Sequence, residues 1–119
     1  MREPELRALH HEFRDLNALA FAGWEFEAAY HALAAAMHCA DRLRDGDLLA
    51  DVQQLAEEQG QWIDTHAQDH RLASQSATTA GHPSIFALAA KYAQSMLLRL
   101  KMEEQAQELK RSKQEQAAG

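Results

Sequence analysis

One cysteine, two prolines and five glycines are scattered over 119 residues. A lone Cys39 excludes an intrachain disulfide and gives no reason to expect an oxidising compartment. No apolar run is long enough for a bilayer. The least charged apolar stretch, residues 28–40, is 13 residues and includes His31 and His38. The Arg2-Glu3-Pro4-Glu5 start has no signal-like apolar segment behind it, so a soluble, cytoplasmic protein is expected. Basic residues are also short: 12 Lys and Arg face 18 Asp and Glu, a net charge of −6. That balance speaks against a nucleic-acid partner, which asks for a basic face. Catalytic signatures are missing too. There is no glycine-rich phosphate loop and no glycine elbow around Ser74, Ser76, Thr78 or Thr79. Cys39 sits on an Ala-rich face and reads as an inert buried thiol.

What is present is helical periodicity. Leu6, Leu9, Phe13, Leu16 and Ala20 recur at steps of three and four, so they are expected on the inward face of a first helix that Gly23 ends. Phe26, Ala29, Tyr30, Leu33, Met37 and Ala40 make a second stripe. Asp45-Gly46-Asp47 is a stop followed by a new N-cap, with Asp47 expected to open the third helix. Leu48, Val52, Leu55, Trp62 and Ile63 are its inner side, and Gly60 within it marks a close approach or a bend. Periodicity fails over residues 71–83, which read as a long loop with room for one helical turn. Ser84 is a good N-cap for the last helix, striped by Phe86, Ala89, Ala90, Ala93, Leu97 and Leu100. No strand or hairpin pattern occurs. The expectation is an all-α protein, either a four-helix antiparallel bundle or two stacked helical hairpins, with a long loop before the last helix. Residues 1–101 form the domain, and 102–119 a polar helical or disordered tail.

Charge is uneven. Residues 1–70 hold 14 acids and 5 bases; residues 71–119 hold 4 acids and 7 bases. Helices three and four are therefore expected as neighbours with complementary surfaces, or the acidic face of one copy meets the basic end of another.

The second helix is the most informative element. Residues 28–40 contain no Asp, Glu, Lys or Arg, so the helix lacks the charged outer face of a surface helix. With Leu33 at the centre of the inner side, Trp24, His31 and His38 fall opposite, seven residues apart, flanked by Ala28, Ala35 and Cys39. Glu27 lies one helical step from His31 on the same side. Trp24, Glu27, His31, Ala35 and His38 are thus the candidate interface. A homodimer is the preferred cover; the 71–83 loop folding over, or a different protein, are the alternatives. The run Glu27-Ala28-Ala29-Tyr30-His31-Ala32-Leu33-Ala34-Ala35-Ala36, with Ala29, Leu33 and Ala36 as small, large and small residues and Gly23 near the preceding turn, resembles the second helix of a tetratricopeptide-repeat hairpin. The resemblance covers residues 6–43 and implies a protein-binding helical scaffold.

Seven histidines raise a metal alternative. His66 and His70 are spaced i, i+4, which on one helix puts both rings on one face; His82 on the loop would be a third ligand for zinc or iron. The structural alternative makes His66 a wet residue at the edge of the core and His70 a helix-end cation. A small-ligand pocket between the helices is a third possibility.

Overall fold

The computed structural model describes residues 1–79, 81 and 83–118, with the backbone alone for Thr79. His82 therefore lies outside the described residues. Among the described residues five helices follow in order: α1 (Glu3–Ala22), α2 (Phe26–Leu43), α3 (Gly46–His66), the short α4 (Ser74–Thr79) and α5 (Ile85–Ala118). No strand occurs among the described residues. None of the helices is long and apolar enough to cross a membrane.

The architecture is two stacked hairpins. α1 packs on α2, α3 packs on α5, and α2 lies against both α3 and α5. The two turns within the first three helices close in the same way. In the first, Glu25 N–H donates to Ala20 O (2.9 Å) and Trp24 N–H to Phe21 O (3.0 Å). In the second, Asp45 N–H donates to Ala40 O (3.1 Å) and Arg44 N–H to Asp41 O (3.0 Å). Both are Schellman endings, which require a left-handed residue at the crossing point. Trp24 (φ 63°) and Arg44 (φ 52°) occupy those points, although glycine would do so without steric cost. Gly23, the expected terminator, sits one position early at φ −88°.

Asp45, rather than Asp47, caps α3: its carboxylate accepts Leu48 N–H at 3.1 Å. The same group accepts Arg7 Nη1 at 2.9 Å, tying the start of α1 to the α2–α3 turn. These donors hold the Asp45 carboxyl below the usual carboxylate range. Ser84 caps α5 as expected, its hydroxyl accepting Phe86 N–H at 3.2 Å.

The core is continuous along α2, α3 and α5. One cluster joins Leu33, Met37 and Ala40 to Leu49, Val52 and Ala56 and to Ala89, Ala93 and Leu100. The other, at the far end, is Phe26, Ile63, Leu72, Ala73 and Phe86. α1 departs from expectation. Leu16 is exposed and Leu6, Leu9, Phe13 and Ala20 are only half-buried, whereas the fully buried residues of α1 are His10 and Asn17. The cause is a rotation of α1 that aims its polar residues at α2 backbone. His10 Nδ1 lies 2.8 Å from Ala36 O, and Asn17 Nδ2 donates to Ala29 O at 2.8 Å. Ala29 and Ala36 are small enough to let those side chains reach the main chain.

α5 extends well past the hairpins. Beyond Glu104 all its described residues except Ser112 are exposed. The molecule is accordingly long, 64 × 32 × 18 Å, with a radius of gyration of 17.7 Å.

Candidate functional site

The end of the molecule where α1 turns into α2 gathers most of the aromatic residues. Phe21 lies beneath, its ring 5.0 Å from Phe26 and 5.5 Å from Trp62. Trp24 stands on top, edge-on to Trp62 at 5.4 Å (interplanar 87°) and 5.5 Å from Phe26. Trp62 in turn stacks on His66 at 4.6 Å and 18°, one helical turn along α3. Such ring pairs add about 0.5–1.5 kcal/mol each beyond burial. Trp24 remains 53% exposed. A bulky residue in the left-handed region, held by ring contacts and half open to water, is the most unusual local feature of the fold.

The candidate interface residues do not form the single line expected. α2 begins at Phe26, so Trp24 belongs to the turn and its direction is set by that turn, not by helical phase. Glu27, His31 and His38 are exposed on the outer side of α2, and Ala35 is half-buried. The described residues of the 71–83 segment do not cover them. Its residues Leu72, Ala73 and Ala77 turn inward, with Leu72 and Ala73 joining Phe26 in the aromatic end of the core. Ser74 anchors the segment, its N–H and Oγ both donating to the Asp64 carboxylate at 2.7 Å. Arg71 reaches Glu27 in an exposed ion pair, a link from this segment to the interface residues. Within a single chain, the described residues leave the outer side of α2 open.

The histidine pair is not arranged as helical spacing suggested. α3 stops at His66, so His70 lies in the following turn and the two do not share a helical face. His66 Nδ1 donates to Trp62 O at 3.1 Å. His70 Nδ1 accepts Leu72 N–H at 3.1 Å while its ring packs against Phe26 at 4.9 Å. Among the described residues, no group of three or more His, Cys, Asp or Glu is placed to hold a metal ion. Cys39 is buried, which pushes its thiol pKa up.

A groove of about 530 Å³ lies at the opposite end, between the α2–α3 turn and α5. Arg7, Lys101, Asp45, Asp47 and Glu104 line it, a mixture of signs, and Arg7 is already engaged by Asp45 and Glu3.

Sequence reasoning missed the α3 half of the aromatic surface. Trp62 and His66 at i, i+4 were a legible ring-on-ring spacing, but Trp62 reads as core and His66 as a ligand when each is taken alone. The fold and this surface together define a two-hairpin helical protein with an open aromatic end. Comparisons with protein-family models, with curated proteins and with solved structures found no match.

Proposed function

We propose that this chain is a helical protein-interaction and self-assembly module without catalytic activity of its own. It presents Trp24, with Trp62 and His66 beside it, and the outer side of α2 carrying Glu27, His31, Ala35 and His38. The observation that carries the reading is Trp24: a strained, half-exposed indole braced by a second tryptophan has the make-up of an interface anchor. The outer side of α2 supports it, because residues 28–40 carry no Asp, Glu, Lys or Arg, and the small Ala28 and Ala35 beside His31 and His38 let a partner backbone come close. The resemblance of residues 6–43 to a tetratricopeptide-type hairpin supports a protein-binding role. The single cysteine supports a cytoplasmic setting.

Absolute mass at tens of micromolar tests the self-assembly half: two or more chains are expected, and a single-chain mass counts against it. Ala35→Glu and Trp24→Ala test the surface. If copies meet on α2, Ala35→Glu places an unpaired charge in the contact and splits them. The competing reading, a zinc or iron protein using His66, His70 and His82, expects stoichiometric metal that is lost in the His66→Ala/His70→Ala variant.

A further inference from the structure

α5 is apolar on two opposite sides. Phe86, Ala89, Ala93 and Leu100 face the chain's own core. On the other side Leu98, Met102 and Leu109 are 58, 61 and 59% exposed. From Leu98 the steps to Met102, Gln105, Leu109 and Ser112 alternate four and three residues, the heptad rhythm that keeps one seam facing a partner helix. Leu100 occupies the heptad position farthest from that seam and is buried, so the seam points away from the two hairpins. The helix then continues for about 21 Å beyond Glu104, a length that is marginal for an isolated helix in water.

We propose that the outer side of α5 pairs with the same side of a second copy, as a parallel two-stranded coiled coil over residues 98–112. This rests on the self-assembly reading above. It moves the contact between copies from α2 to α5 and leaves the Trp24 surface for a different protein.

Charge pairing and the Gln105 layer together choose the occupant and its direction. In a parallel pair the seam layers are like with like, so Leu98, Met102 and Leu109 each meet their own counterpart. Gln105 meets Gln105, an amide pair able to fix register. Glu108, just before Leu109, and Lys113, just after Ser112, are the flanking positions that face across such a pair, giving an ion pair on each side. Within one chain Glu108 reaches Arg111, in an exposed contact that water competes for. Antiparallel pairing instead sets the Gln105 amide against an apolar side chain, Leu109 in one register and Met102 in the next, and leaves it unpaired. The first register also brings Arg99 to Lys113 and Glu108 to Glu108, like charges; the second brings Lys101 to Glu108 but still strands the amide. The second copy therefore lies parallel.

Sedimentation equilibrium on the full chain at tens of micromolar should give twice the 13.4 kDa chain mass. Met102→Glu with Leu109→Glu should return the single-chain mass while the far-ultraviolet spectrum of the hairpins persists. Glu108→Lys should weaken association about tenfold, and adding Lys113→Glu should restore it. In a Cys39→Ala background, Gln105→Cys should oxidise to a covalent dimer, because only a parallel pair brings residue 105 to its counterpart. A monomeric wild-type chain would overturn this inference and the self-assembly reading together. A dimer indifferent to the Met102 and Leu109 changes but split by Ala35→Glu would overturn this inference alone. A dimer that splits at Met102 and Leu109, yet gives no crosslink at residue 105, would overturn the parallel direction.

Discussion

Asn17 on α1 and Gln59 on α3 hold each other through reciprocal hydrogen bonds, Asn17 Nδ2 to Gln59 Oε1 at 3.1 Å and Gln59 Nε2 to Asn17 Oδ1 at 2.7 Å. Both side chains are buried, and Asn17 also donates to Ala29 O. This amide pair is the polar joint between the outermost helix and the second hairpin.

Removing one half of that joint should cost more than removing both in proportion. Asn17→Leu strands the Gln59 amide in the core, a loss of about 1–3 kcal/mol. The Asn17→Leu/Gln59→Leu double variant should lose less than the sum of the two single variants. Urea unfolding midpoints of the four proteins measure the difference.

His10 makes the α1–α2 contact sensitive to acid. It is fully buried; Nδ1 donates to Ala36 O, and among the described residues Nε2 has no hydrogen-bond partner. Burial is the main force holding its pKa below the ordinary value, against the opposing pull of the hydrogen bond to Ala36 O; His11 and Arg14 add like charge, and Asp45 opposes them. The unfolded chain therefore binds the proton more readily than the fold does. Stability from this site is complete above the ordinary histidine pKa of about 6.5 and falls as pH drops from there through the lower folded value. His10→Leu should flatten the decline between pH 7 and pH 5 relative to wild type, as followed by thermal unfolding at each pH. A decline of equal slope in the variant would show that other groups cause it.

The two left-handed residues should answer differently to glycine. At Arg44, Arg44→Gly relieves the backbone and gives up only an exposed ion pair with Glu103, so a gain of up to about 1 kcal/mol is expected. At Trp24, glycine loses the contacts with Trp62 and Phe26, so Trp24→Gly should destabilise. Trp24→Ala should be worse still, by about 1 kcal/mol, because alanine loses the same rings and keeps the strain. Denaturation midpoints rank the three variants.

Gly60 and Gly46 provide a paired test of helix packing. A methyl group at Gly60 would lie 3.3 Å from Phe86 Cβ, the root of a fully buried ring on α5 that cannot yield. At Gly46 it would meet Leu97 Cδ1 at 3.4 Å, the mobile end of a side chain. Alanine gains about 1 kcal/mol in helix propensity within a helix. Gly60→Ala should nonetheless destabilise, while Gly46→Ala should be neutral or better, by the same denaturation assay.

The helices and the inner stripes of α2, α3 and α5 were legible because each element buries one apolar side, which periodicity reports directly. α1 was misread in rotation for a related reason. Its leucines look like the buried side, but His10 and Asn17 find acceptors on α2 backbone that no side-chain pattern can announce. The turn at Trp24 was hidden by the neighbouring glycine, which is the residue that left-handed geometry ordinarily selects. For the interface, the absence of charge on α2 was visible in the sequence. The bracing of Trp24 by Trp62 depends on the α1–α2 turn and α3 meeting in space, across 38 residues of chain.

The projecting part of α5 also alters how the protein behaves in transport. A 119-residue chain packed to ordinary density has a radius of gyration near ~13.5 Å, whereas this one reaches 17.7 Å. Such a shape drags through solvent and through gel beads like a heavier sphere. A lone chain will thus elute early on a column calibrated with globular standards and mimic a pair, and only methods insensitive to friction will count its copies correctly.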